Sequence, residues 1–162
     1  MNNIQWKDWQ WSIFILPVVL GSISGFLAPM KGVGSKIRAR PPGYVFGIVW
    51  TILFLLYGAA WNLTISYWSS DPVIPDAWVT GEIGYILSMV LYSVNMACLF
   101  SWPFVYNRAG PWPAMFLLLV SLVLTLASAM VSPPSAGICL SPLLGWEIFA
   151  LILNFTIVNK RS

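Results

Sequence analysis

Apolar residues in this chain run in five long blocks, each bounded by proline, glycine or charge. The blocks predict spans over residues 12–28, 45–68, 83–106, 112–131 and 138–158, each about 20 residues long, as a bilayer crossing requires. They are too long for barrel strands. Lipid offers a backbone amide or carbonyl no partner, so an α-helix is the spanning form that satisfies them. The breaks carry turn chemistry: 29–44 holds glycine and basic residues, 69–80 holds Asp71, Pro72, Pro75 and Asp76, and Ser132-Pro133-Pro134-Ser135 reads as a tight turn. The expected fold is an all-α integral membrane protein, a bundle of five transmembrane helices in a single domain over 1–162.

Composition supports that reading. The chain is 59% hydrophobic and 8% charged, against about 25% charged in a soluble domain. The net charge of +3 sits in the gaps between apolar blocks, so it reports membrane orientation, and no nucleic-acid partner is expected. Five spans place the termini on opposite sides. Lys7 lies alone on one side, while Lys31, Lys36, Arg38, Arg40, Arg108, Lys160 and Arg161 share the other. By the positive-inside rule the second side is cytoplasmic, with the N-terminus outside and the C-terminus inside. The first block has no clustered basic lead or small-residue cleavage site, and Trp6, Trp9 and Trp11 flank it as interfacial anchors, so it reads as a retained helix.

Cys98 and Cys139 both lie inside apolar blocks and read as core residues. Histidine is absent, which removes the usual haem ligand and the commonest metal ligand. No obligatory cofactor is expected. No nucleophile–base pair, phosphate loop or metal cage is visible either, so turnover is not derivable from the residues.

Two blocks carry a resemblance. Pro41-Pro42-Gly43-Tyr44-Val45-Phe46-Gly47-Ile48-Val49-Trp50-Thr51 resembles the PP-x-x-V-F-G-x-V-W-T signature of the tryptophan-rich sensory protein or translocator protein family, also called the peripheral benzodiazepine receptor family. Leu140-Ser141-Pro142-Leu143-Leu144-Gly145-Trp146, followed by Phe149, Ala150, Leu153 and Asn154, resembles that family's P-Y-x-x-W-x-x-F-A-x-x-L-N. Asn95 in the third span and Trp112 at the start of the fourth also match. The chain departs from the family where the loop tryptophan before Pro41 is missing, where Cys98 replaces a tryptophan, where Phe116 replaces an aspartate, and where Leu143 replaces a tyrosine.

The resemblance implies a five-helix receptor whose pocket opens toward the first cytoplasmic loop. It implies tetrapyrroles such as protoporphyrin IX, sterol-like lipids, and isoquinoline or benzodiazepine drugs as ligands. A porphyrin would then be a bound ligand. Family membership also implies homodimers, often through the third helix. Candidate ligand contacts are Trp50 and Trp146, with Phe46, Trp112, Phe149 and Ala150 beside them. An indole offers a stacking face and one N–H donor, although packing or an interfacial belt is the competing use for any of ten tryptophans. Belt or packing roles are expected for Trp61, Trp68, Trp78 and Trp102.

Asn95 places an amide inside a span, where it must bond another helix, a water or a ligand. Glu147 is the acidic residue well inside a span, hence a functional candidate, and it shares a helix face with Asn154. Either it is protonated and hydrogen-bonded in the bundle, or it pairs with a base of the first loop. In that loop Arg38 and Arg40, with Lys31 and Lys36, satisfy the topology rule or form a lid that meets ligand carboxylates such as porphyrin propionates. A sterol motif in the last helix fails because Phe155 stands where a tyrosine is needed. The sequons at Asn62 and Asn154 fall inside spans and are chance matches. Gly21-x-x-x-Gly25, Gly84-x-x-x-Ser88 and Ser93-x-x-x-Ala97 permit close helix approach. The expected function is binding of flat hydrophobic ligands. Its alternatives are tryptophan-dependent porphyrin breakdown, a structural subunit of a larger membrane complex, and a small-molecule transporter.

Overall fold

A computed structural model describes residues 8–29, 42–70 and 81–159. Over these it forms five helices: α1 (Asp8–Leu27), α2 (Gly43–Ser69), α3 (Gly81–Ala109), α4 (Pro111–Met130) and α5 (Pro134–Asn159). Each is long and apolar enough to cross a membrane, and no strand occurs among the described residues. The basic residues Lys31, Lys36, Arg38 and Arg40, and the acidic 71–80 stretch, lie outside the described residues.

Three boundaries differ from the expected spans by three residues or more. α1 begins four residues earlier than position 12. α3 runs through Pro103 and Tyr106 to Ala109, and stops only where Gly110 takes φ 88°, a left-handed conformation open to glycine. Pro111 then occupies the first turn of α4, where its missing N–H costs nothing. α5 begins at Pro134 instead of Ile138 for the same reason. Inside α5, Pro142 leaves the Ile138 carbonyl without its helical amide donor, and the Ser141 hydroxyl donates to that carbonyl at 2.8 Å.

The helices pack in the cyclic order α1, α2, α5, α4, α3, with α2 also touching α3 across the ring. Close approach rests on glycine. A Cβ on Gly58 would run into the Phe14 backbone carbonyl, so α1 and α2 meet backbone to backbone there, and a Cβ on Gly21 would enter the Phe54 ring. Gly84 admits the Trp68 indole in the same way, whose Nε1 donates to the Val131 carbonyl at 2.9 Å.

The α2–α3 contact is tight at the end that carries the α4–α5 turn. Trp61 stacks on Tyr92 with centroids 5.6 Å apart, and Tyr57 lies 5.2 Å from the same ring. The Tyr57 hydroxyl donates to the Tyr92 carbonyl at 2.7 Å. Thr64, Tyr92 and Ser132 join their hydroxyls there at 2.8 to 3.2 Å. Toward the opposite end the two helices face each other across a cavity.

Candidate functional site

The cavity lies among α1, α2, α3 and α5 and encloses about 440 Å³, within the roughly 300–1,000 Å³ of small-molecule sites. From α2 come Phe46, Gly47, Trp50, Thr51 and Phe54; from α3, Leu99, Trp102, Pro103 and Tyr106; from α5, Ala150, Leu153, Asn154 and Ile157. α1 supplies small residues, Gly21, Ser22, Ser24, Gly25 and Ala28. No described lining residue is charged.

Periodicity explains these walls. Leu99, Trp102 and Tyr106 recur at the 3–4 residue spacing of one α3 face, and Ala150, Leu153, Asn154 and Ile157 do so on α5. Trp50 stacks on Phe54 at 5.3 Å and 26°. Behind it, Trp146 meets Trp50 edge-on at 6.3 Å and Phe46 at 5.5 Å, and Phe149 packs on Trp146 at 5.3 Å. These rings fix the plane that Trp50 presents to the cavity. Opposite, Trp102 and Tyr106 pack at 5.9 Å.

The polar atoms of the walls are few and mostly spoken for. Ser24 donates to the Phe100 carbonyl at 2.7 Å, Thr51 to the Gly47 carbonyl, and Asn154 Nδ2 to the Ala150 carbonyl at 2.8 Å. Trp102 Nε1 and Asn154 Oδ1 are buried with no hydrogen-bond partner. Pro103 also leaves the Leu99 carbonyl without its helical amide donor. The wall therefore carries one spare donor and at least one spare acceptor in apolar surroundings, where pairing with a ligand is worth most.

Of the residues proposed from sequence, Phe46, Trp50 and Ala150 line the cavity, while Trp146 and Phe149 stand behind its aromatic wall. Trp112 is 61% exposed on the outside of α4. Arg38 and Arg40 lie outside the described residues. Asn95 and Glu147 do not line the cavity. They are fully buried in a polar cluster with Ser121 and Thr125 of α4, where Glu147 takes hydroxyl partners from within the bundle. Trp102 was expected in a belt or in packing, yet it lines the cavity. The signal for it was its register, seven residues beyond Asn95 on the same α3 face. Among the described residues, no group of three or more histidine, cysteine or acidic side chains could hold a metal ion.

A model of the TspO/MBR family matches residues 13–159. The chain is 34% identical over 156 residues to the translocator protein homolog of Schizosaccharomyces pombe, covering 91% of this chain and 88% of that protein. It is 33% identical over 125 residues to the tryptophan-rich protein TspO of Chlorobaculum tepidum, covering 74% and 72%. The tryptophan-rich protein TspO of Archaeoglobus fulgidus is 25% identical over 121 residues, covering 72% and 70%.

Proposed function

We propose a function for this chain from one premise: it belongs to the TspO/MBR family. It is a multi-pass integral membrane protein, and its family supports a ligand-binding or translocator role in the membrane. The finer reading is a receptor for flat hydrophobic ligands: tetrapyrroles such as protoporphyrin IX, sterol-like lipids, and isoquinoline- or benzodiazepine-type drugs. One observation carries it: a cavity of about 440 Å³ between aromatic walls, uncharged along its described lining.

In this reading Trp50 stacks on the ligand face and Phe46 and Ala150 close around it, with Trp146 and Phe149 holding the Trp50 plane. Trp102 Nε1 and Asn154 Oδ1 orient the ligand's polar edge. Asn95 and Glu147 act through the helices that bear the lining, since both lie beyond the cavity. The cavity lies toward the ends of α1 and α2 that residues 28–42 connect in sequence, and in this reading Arg38 and Arg40 of that stretch pair with ligand carboxylates. The charge asymmetry makes that side cytoplasmic. A homodimer through the exposed α3 face at Ser93 and Ala97 completes the reading.

The test is titration of the detergent-purified protein with protoporphyrin IX, followed by tryptophan quenching, in wild type and in Trp50→Phe, Trp102→Phe and Arg40→Ala variants. Saturable binding is expected, with Kd rising about 2- to 13-fold for Trp50→Phe, the loss of roughly 0.5–1.5 kcal/mol of stacking. No saturable binding by folded protein, or a Kd indifferent to both indoles, refutes the site and moves weight to a structural subunit. Illuminating the same complex, with product formation as readout, tests tryptophan-dependent porphyrin breakdown.

A further inference from the structure

Glu147 is a carboxyl group buried at the middle of α5, seven residues before the cavity-lining Asn154. Tyr57 from α2 and Cys98 from α3 are the titratable groups within electrostatic reach. α4 offers it only the hydroxyls of Ser121 and Thr125, and α1 does not pack on α5. The other charged residues in the described helices, Asp8, Glu82 and Arg108, belong to terminal turns. Among the described residues no cation balances the carboxyl.

Hydrogen counting shows how the cluster holds it. Ser121 Oγ stands 2.6 Å from Glu147 Oε1 and 2.7 Å from Asn95 Oδ1, yet a serine hydroxyl carries one hydrogen. Asn95 Nδ2 donates to Thr125 Oγ1 at 2.8 Å, and Thr125 donates onward to the Ser121 carbonyl at 3.0 Å. Ser121 then gives its hydrogen to Asn95 Oδ1, and the contact to Glu147 closes only if the carboxyl supplies a proton. The same heavy atoms close a second way. If the Asn95 amide turns over, its NH₂ donates to Ser121, Ser121 donates to an ionised Glu147, and Thr125 donates to Asn95 Oδ1. One proton separates the two arrangements, and Asn95, Ser121 and Thr125 stay paired in both.

A route to the aqueous phase is built into the same helix. Ser121, Thr125 and Ser128 are buried on one face of α4, and Ser132 continues that row into the α4–α5 turn, where it is partly exposed. Ser128 Oγ has no partner and is free to rotate toward either neighbour. Rungs one turn apart stand about 5.4 Å from each other along the axis, a gap that a single water spans when one enters.

We propose that Glu147 is a proton-binding site at the centre of the bundle, loaded and unloaded from the α4–α5 end along the Ser121–Thr125–Ser128–Ser132 hydroxyl row. In transit each hydroxyl releases its own hydrogen forward as it accepts one from behind. The net change is one proton gained or lost by the carboxyl, with nothing else consumed.

The test is infrared difference spectroscopy of the ligand-free protein in vesicles after a pH jump, reading the C=O stretch of a protonated carboxyl in H₂O and D₂O. Wild type is expected to show one band that titrates and shifts in D₂O. Glu147→Gln should lose it, and Glu147→Asp, which keeps the carboxyl, should move it. Ser128→Ala should leave its amplitude intact and slow its appearance at least tenfold. A band that never titrates, or that survives in Glu147→Gln, overturns the proton site. An unchanged rate in Ser128→Ala overturns the route. Because no porphyrin enters these measurements, failure here and failure of the ligand reading are separate results.

Discussion

Replacing Asn95 by leucine removes the polar link between α3 and α4 while nearly conserving volume. The amide is fully buried. It donates to Thr125 at 2.8 Å and accepts from Ser121 at 2.7 Å. Hydrogen bonds between membrane helices contribute about 0.6 kcal/mol on average and at most about 1.7, so two of them set a loss of roughly 1–3 kcal/mol. The lower half of that range is expected. Thr125 keeps the Ser121 carbonyl and Ser121 keeps Glu147 as partners, which spares the variant the larger cost of stranded buried donors. Reversible unfolding in mixed micelles with increasing SDS, followed by tryptophan fluorescence, measures the change. A cycle with Thr125→Val isolates the shared bond and should return a coupling of about 0.5–1.5 kcal/mol. Additivity of the two changes, or an Asn95→Leu variant as stable as wild type, would mean that the cluster contributes nothing to helix association.

Two glycines give opposite expectations. Gly58→Ala forces a Cβ against the Phe14 backbone, which cannot rotate away, and should lower thermal stability by about 1–3 kcal/mol; Gly25→Ala meets nothing within 4 Å, so it should hold stability level or raise it by up to ~1 kcal/mol through helix propensity while weakening protoporphyrin IX binding by narrowing the cavity. For the proposed dimer, Ser93→Phe on the exposed α3 face should abolish the cross-linked species on gels and leave porphyrin quenching unchanged; a persisting dimer removes that face from consideration.

The five spans were legible because a bilayer demands about 20 apolar residues and tolerates proline and glycine at their ends. Exact ends were less legible. Asn107 and Arg108 looked like loop residues, yet they form the exposed last turn of α3, because nothing breaks that helix before Gly110. Phe46, Trp50 and Ala150 could be placed beside one another from two motifs that resemble a family pattern. Trp102 could not, since ten tryptophans include several whose chemistry suits a belt, and only register relative to Asn95 separates it from them. Asn95 and Glu147 were recognisably groups in need of partners. That the partners would be Ser121 and Thr125 was hidden, because a serine and a threonine four residues apart in an apolar helix also occur bonded to their own backbone.

The cavity sits where it does because the α2–α3 contact changes chemistry along its length. Toward the α4–α5 turn, Tyr57, Trp61 and Trp68 of α2 meet Tyr92 and Gly84 of α3, and aromatic pairs of this kind add about 0.5–1.5 kcal/mol each beyond burial. Toward the other end, Trp50 and Trp102 line one cavity from opposite helices while α1 presents Gly25 and Ala28 between them. A larger residue at Gly25 would have filled the gap, as the Phe54 ring does at Gly21. Packing is thereby concentrated in the half without the cavity, so the open half can keep two unpaired polar atoms and an unfilled volume without unfolding the bundle. The Asn95–Glu147 cluster lies at the seam. Its α3 and α5 positions are one turn from Leu99 and Ala150 of the lining, so a change in its hydrogen bonding bears on two of the helices that shape the cavity.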